Sequence, residues 1–149
     1  MVERVEKNKK LVERYPFLLP RNQTNGEVPA GYDFSYTELD MMPNGWRIAF
    51  GEQMCEEIRE ELVKYNCLGD YRIAQIKEKY GALRWYDYGA PKKVGLEINP
   101  KYTKLSACTC VTCGAKATRV TYGWNNPFCD ECVPGGETMT IEEYLGHGG

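Results

Sequence analysis

Histidine is nearly absent from this chain. The one copy, His147, lies in the Gly-rich run "GHGG". A positioned general base is not expected there, so His-based catalytic triads and His-containing metal sites drop out as readings. Long apolar runs are absent too. None approaches the roughly 18 to 20 residues that would span a bilayer, so no membrane role is expected. The opening stretch "MVERVEKNKKLVERYPFLLP" carries charges throughout. It has no apolar signal core of about 7 to 15 residues, and a soluble, cytoplasmic protein is the expectation. There is no Gly-x-Gly-x-x-Gly and no P-loop, so no small-molecule cofactor is expected. Internal repeats and low-complexity segments are also missing.

Cysteine, by contrast, is plentiful. Of seven in 149 residues, five fall within "CTCVTCGAKATRVTYGWNNPFCDEC", which starts at Cys108. A reducing cytosol keeps thiols free, so a cluster there points to metal more than to disulfides. Cys110/Cys113 and Cys129/Cys132 form two C-x-x-C pairs separated by fifteen residues. That is zinc spacing. Two intervening residues let both thiolates of a pair turn inward on one tight knuckle. Gly114, directly after Cys113, suits such a turn. Between the pairs lie a β-rich run, Thr118 to Tyr122, and the turn residues Gly123, Asn125, Asn126 and Pro127. Knuckle, strand, turn, knuckle is a zinc ribbon. One structural zinc is expected, because four thiolates leave no open coordination position for catalysis. An iron–sulfur cluster or a redox pair are the competing uses of these thiols. Cys108 reads either as a buried helix-end thiol or as an alternative ligand in place of Cys110. Cys55 and Cys67 read as core residues.

Hydrophobic periodicity supplies the remaining elements. Val2, Val5, Leu11 and Val12 outline a weak helix that Pro16 and Pro20 end. A Pro/Asn/Gly-rich arm follows, with Tyr32, Phe34 and Tyr36 expected to pin it to the core. Phe50, Met54, Ile58 and Leu62 recur every four residues and predict a helix over 46–66, with Asn44 as N-cap and Gly69 beyond its end. Ile73, Ile76, Leu83, Trp85, Tyr86 and Tyr88 predict a β-hairpin turning at Lys79–Ala82. Its imperfect alternation leaves open which face is buried. Asn99–Pro100 predicts a helix start, and "TIEE" from Thr140 predicts a last short helix. The closing "GHGG" is expected to be mobile. The fold class is α+β: a long amphipathic helix packed on a β-hairpin, plus a C-terminal zinc ribbon. The organisation expected is an N-terminal helix and aromatic, Pro-rich arm (1–45), an α+β core (46–107), a zinc-ribbon module (108–134) and an acidic tail with a short helix (135–149).

Charge is segregated. Residues 1–26, 27–70, 71–121 and 122–149 carry balances of +3, −7, +7 and −5. Either the blocks pair with one another in the fold, or the basic middle is an anion-binding face. Candidate nucleic-acid or partner-binding residues are Arg72, Lys77, Lys79, Arg84, Tyr80 and Trp85 in the hairpin, with Lys116 and Arg119 in the ribbon. Cations neutralise phosphates and rings stack on bases. A pI near 5.6 argues against general DNA coating, so a protein partner competes with nucleic acid. Glu56, Glu57, Glu60 and Glu61 read as a solvated helix face. Lys77, Glu78, Lys79, Arg84 and Asp87 faintly resemble the charged cluster of a metal-dependent nuclease, in a spacing that matches no signature. No catalytic residue is assigned.

Taken together, "GW" (Gly45–Trp46), "QIKEKYGALRWYDYG" (Gln75–Gly89), "CTCVTCGAKAT" and "GWNNPFCDEC" resemble small uncharacterised proteins encoded by phages and prophages of gut Firmicutes and related bacteria. Those share a Gly-Trp before a helix, a Q-[IV]-K-E-K-[FYW]-G-x-L-R-[FW]-Y hairpin and a T-C-x-x-C-G…G-W…C-x-x-C ribbon. The resemblance spans residues 44–133. It implies a non-enzymatic binding protein of a mobile element. Such a protein acts in the bacterial host cytoplasm on a host protein or protein–nucleic-acid complex, for example by inhibiting a defence nuclease such as a CRISPR effector. Direct DNA or RNA binding is the alternative, and a divergent nuclease the third.

Overall fold

Residues 2–22 and 24–148 are described by a computed structural model. Helix α1 (Val2–Arg14) stops before Pro16 and leads into a 3₁₀ turn, Pro16–Leu18, which buries Phe17 and Leu18. The arm then folds back. Tyr32 packs its ring on Phe34 and Tyr36, with centroids 4.8 and 5.3 Å away. This cluster sits on α1 rather than in the core: Asn8 Nδ2 donates to Phe34 O at 2.8 Å. The arm is pinned instead by Leu39 and Met42, both buried, at a 3₁₀ turn spanning Glu38–Met41. Thr37 and Asp40 close a reciprocal cap on that turn.

The long helix is one run in three parts. Helix α2 (Asn44–Trp46) passes through a π turn, Arg47–Gly51, into α3 (Glu52–Lys64). Phe50, Met54, Ile58 and Leu62 are all buried, as the four-residue stripe requires. Both ends differ from expectation. Asn44 is inside the helix, with Pro43 at the cap position, and its Oδ1 accepts from Arg47. At the far end Asn66, at φ 52, takes the left-handed position, and Cys67 N donates to Leu62 O at 2.9 Å. That closes a Schellman turn, three residues before Gly69.

Strands β1 (Arg72–Lys79) and β2 (Ala82–Tyr88) form an antiparallel hairpin. Its two-residue turn, Tyr80–Gly81, has φ values of 53 and 81, the positive pair of a type I′ turn. A bulge between Ile73 and Gln75 shifts the register, which is why the alternation looked broken. Ile73, Ile76, Leu83 and Trp85 face inward and are buried. Arg72, Gln75, Lys77 and Lys79 lie outward opposite Tyr88, Tyr86, Arg84 and Ala82.

The next helix begins at Lys92, earlier than Asn99–Pro100 suggested. Lys92 and Lys93 lead into a π turn, Val94–Ile98, and then α4 (Asn99–Ala107). Pro100 is thus interior. It has no N–H to donate and its ring crowds the preceding turn, and the widened turn before it absorbs both problems. Side chains of α4 satisfy the backbone of β2: Ser106 Oγ accepts from Leu83 N at 2.8 Å, and Thr103 Oγ1 donates to Leu83 O at 3.1 Å.

The C-terminal part is a three-stranded sheet in the order β4 (Pro127–Phe128), β3 (Arg119–Thr121), β5 (Thr138–Thr140). Strand β5 was not foreseen, and it makes the acidic tail part of the ribbon. Helix α5 (Ile141–Gly148) starts where "TIEE" placed it, with Glu143 N donating to Thr140 Oγ1. It runs further than the tail was expected to be ordered. Gly149 and the side chain of His147 lie outside what is described. Ala117, Val120 and Ile141 form a small second core under this sheet. Among the described residues, no helix is long and apolar enough to cross a membrane.

Charge blocks 1–26 and 71–121 clasp the acidic helix. Arg14 Nε donates to Glu56 at 2.8 Å, and Lys101 and Tyr102 donate to Glu57. Lys93 lies 3.5 Å from Glu61, which is buried. Of the four glutamates expected to form a solvated face, Glu60 is exposed, Glu56 and Glu57 are half-exposed but paired, and Glu61 is a correction, being buried. Burial opposes the Glu57 charge, but hydrogen bonds from Lys101 and Tyr102 outweigh it and hold the carboxyl below its ordinary range.

Candidate metal centre and binding surface

The first knuckle, Cys110–Cys113, is built onto the start of the long helix. Gly114 N donates to Cys110 O at 3.1 Å and Cys110 N to Ala115 O at 2.8 Å. Gly45 N donates to Val111 O, and Trp46 Nε1 to Thr109 O at 2.9 Å. A Cβ on Gly45 would stand 2.2 Å from Cys110 O, and one on Gly114 2.7 Å from Gly45 O. The "GW" pair and the glycine after the knuckle are thus one contact. The second knuckle follows β4, with Val133 N and Cys132 N both donating to Cys129 O.

The two knuckles bring Cys110, Cys113, Cys129 and Cys132 together, with all four Sγ atoms within 4.8 Å of one another. Cys113 and Cys129 are 3.6 Å apart. A tetrahedral ion with sulfur at roughly 2.3 Å needs S···S edges of about 3.8 Å. These residues could therefore hold one metal ion. The electrostatics agree. Burial resists a charge on Cys110, but backbone N–H groups of Cys113, Cys129 and Thr112 overcome it and bring the thiol down to about 6. Its neighbours pay in the other direction: contacts with Cys129 and Cys113, then burial, push Cys132 up to about 12. Four thiolates this close repel one another, and a dication is what lets all of them ionise. Cys108 is not in the cluster. It caps α4, half-buried rather than buried, and packs against Ala117, Val120 and Ile141, while the four-thiol group forms without it. Cys55 is fully buried and Cys67 packs on the main core.

The hairpin candidates divide. Arg72, Lys77, Lys79 and Arg84 share the outward face with Tyr86 and Tyr88. Lys77 Nζ sits 5.8 Å from the Tyr86 ring and Arg72 5.2 Å from that of Tyr88. None of these four cations is in an ion pair among the described residues. Tyr80 is exposed at the tip. Trp85, named as a binding ring, is a correction: it is buried, and its indole N–H donates to Asp87 Oδ2 at 3.1 Å. The strand's alternation turns it to the core while Tyr86 and Tyr88 face water. Arg119 is also committed, donating to Thr138 Oγ1 and Thr138 O across β3 and β5. Lys116 is exposed on the ribbon.

The nuclease-like cluster does not assemble. Asp87 accepts from Tyr71 and Trp85, and Glu78 accepts from Gly81 N, both on the inward side. Lys77 and Arg84 point the other way.

One exposed residue escaped notice in the sequence. Trp124, in the ribbon turn, is 82% exposed. The signal was its place among turn residues, "GWNNP", where a core ring has nothing to pack on. No family model, no curated protein and no solved structure matches the chain.

Proposed function

We propose that this is a zinc-stabilised, non-enzymatic binding protein of the phage or mobile-element kind, acting in the bacterial cytoplasm on a host protein or protein–nucleic-acid complex. The observation that carries it is the outward hairpin face: four cations without acidic partners, interleaved with exposed tyrosines. On the long helix, by contrast, Arg14, Lys93 and Lys101 are paired with Glu56, Glu61 and Glu57. A face left uncompensated is suited to an anionic surface. Zinc fits the four-cysteine site, and its role is to close the ribbon and hold the hairpin tip and the helix start in register.

Capture of host components by the zinc-loaded protein, with and without nuclease treatment, tests this reading. Lys77→Ala, Lys79→Ala and Arg84→Ala together should release the captured species. If the triple variant keeps the same species as wild type, the face is not the binding surface. If purified protein cleaves DNA or RNA in magnesium or manganese, the non-enzymatic reading fails.

The same unpaired cations favour a second reading, direct nucleic-acid binding. It predicts a mobility shift that weakens steeply with salt. No shift at low salt would end it.

A further inference from the structure

Trp46 and Trp85 are core residues, so Trp124 is the one tryptophan in contact with water. Its ring borders a slot of about 440 Å³ that Tyr80, Lys79, Glu78 and Gly123 also line, with the Glu78 carboxylate engaged by Gly81 N. Tyr80 is 66% exposed. The two rings come from different parts of the fold, and both turns are held. At the hairpin tip Tyr144 Oη donates to Tyr80 O at 2.8 Å, and in the ribbon turn Asn126 N donates to Thr121 Oγ1 and Thr121 N to Asn126 O, both at 3.2 Å. A Cβ on Gly81 would lie 2.0 Å from Asn125 O, so hairpin tip and ribbon turn meet backbone to backbone.

Tyr80 is also in the wrong place for stability. At φ 53 it occupies the left-handed region, where a bulky residue costs energy that Asn or Gly avoids. Its ring gains little burial in return. Strain that serves to hold an aromatic ring in solvent is a mark of a site. From this slot the cations run along the sheet: Lys79, then Lys77 beside Arg84, then Arg72. At about 3.3 Å per residue the row is about 23 Å long.

The geometry points to a single-stranded nucleic-acid site, with one base held between Tyr80 and Trp124 and the adjoining phosphates on Lys79, Lys77, Arg84 and Arg72. Ring faces at the slot stack on any base, and only an unpaired strand offers both faces of a base. The cation row supplies the phosphate complement that an apolar protein segment would not need. This inference rests on reading the hairpin face as a nucleic-acid surface, and adds the slot and the strandedness.

The test uses the intact zinc-loaded protein, titrated at low salt with short oligothymidylate, oligouridylate and a duplex of equal length. Single strands should quench tryptophan emission, because Trp124 is the ring that meets solvent. By anisotropy of a labelled strand, Trp124→Ala and Tyr80→Ala should each weaken binding about tenfold, and Trp124→Phe should restore much of it. Zinc content and melting of each variant confirm that it is folded. If Trp124→Ala and Tyr80→Ala bind like wild type while the Lys77, Lys79, Arg84 triple variant does not, the slot is refuted and the hairpin surface stands. If the triple variant also binds normally, both fall. Equal affinity for the duplex refutes the single-strand assignment. If no oligonucleotide quenches emission but a nuclease-treated host fraction does, the slot takes a protein and the nucleic-acid assignment is overturned.

Discussion

Replacing Gly45 by alanine sets two physical effects against each other. Helix propensity alone favours the change, since Gly in a helix costs roughly 0.5–1 kcal/mol relative to Ala. The tertiary contact opposes it. The new methyl would stand 2.2 Å from Cys110 O, 2.7 Å from Val111 C and 2.8 Å from Gly114 N. All three are backbone atoms of the knuckle and cannot rotate away. Overpacking of this kind costs about 1–3 kcal/mol. Separating the helix from the knuckle also strains two hydrogen bonds, Gly45 N to Val111 O and Trp46 Nε1 to Thr109 O. An unmade bond to a buried donor costs about 1–3 kcal/mol. The net expectation is destabilisation of about 3 kcal/mol, or a fall in Tm of roughly 10 °C for a chain of this size. Thermal unfolding of metal-loaded Gly45→Ala, with the rate of metal loss to a chelator, is the assay. A variant as stable as wild type, or more stable, would show that the helix and the metal centre are not joined through this contact.

Serine at Cys129, the buried member of the second pair, should lower zinc content well below about one ion per chain and lower Tm, measured by elemental analysis and calorimetry. Ser106→Ala should cost about 2 kcal/mol in denaturant unfolding, because Leu83 N loses its acceptor in a buried place. Glu38 tests pH dependence. Burial pushes its carboxyl from the usual 4.5 up to about 7, so the folded state holds the proton more tightly than the unfolded chain. Its contribution to stability is intact below 4.5 and is lost as pH rises through 7. Glu38→Gln should therefore raise Tm at pH above 7 and leave it nearly unchanged at pH below 4.5; the reverse pattern would refute the assignment.

Much of the fold was legible because its signals are local. The long helix shows as a stripe of Phe50, Met54, Ile58 and Leu62, and the hairpin turn shows at Gly81. The errors arose where distant packing decided. Asn99–Pro100 reads as a helix start, yet a π turn lets the helix begin at Lys92 and carry Pro100 inside it. Ile73 and Ile76 are three residues apart, and the bulge between Ile73 and Gln75 is what lets both face the core beside Leu83 and Trp85. Strand β5 is three residues long and pairs because β3 offers it an edge.

The four-cysteine cluster, which could hold a metal ion, is the part the sequence determined by itself. A C-x-x-C knuckle is a short-range object, so spacing alone carries its geometry, and two such pairs specify four thiolates. What the ribbon holds was decided by the tertiary structure. The contact of Trp46 with Thr109 joins residues 63 apart, and the meeting of Gly81 with Asn125 sets Tyr80 beside Trp124. Neither contact leaves a periodic mark in the chain, because each depends on the packing of one backbone against another.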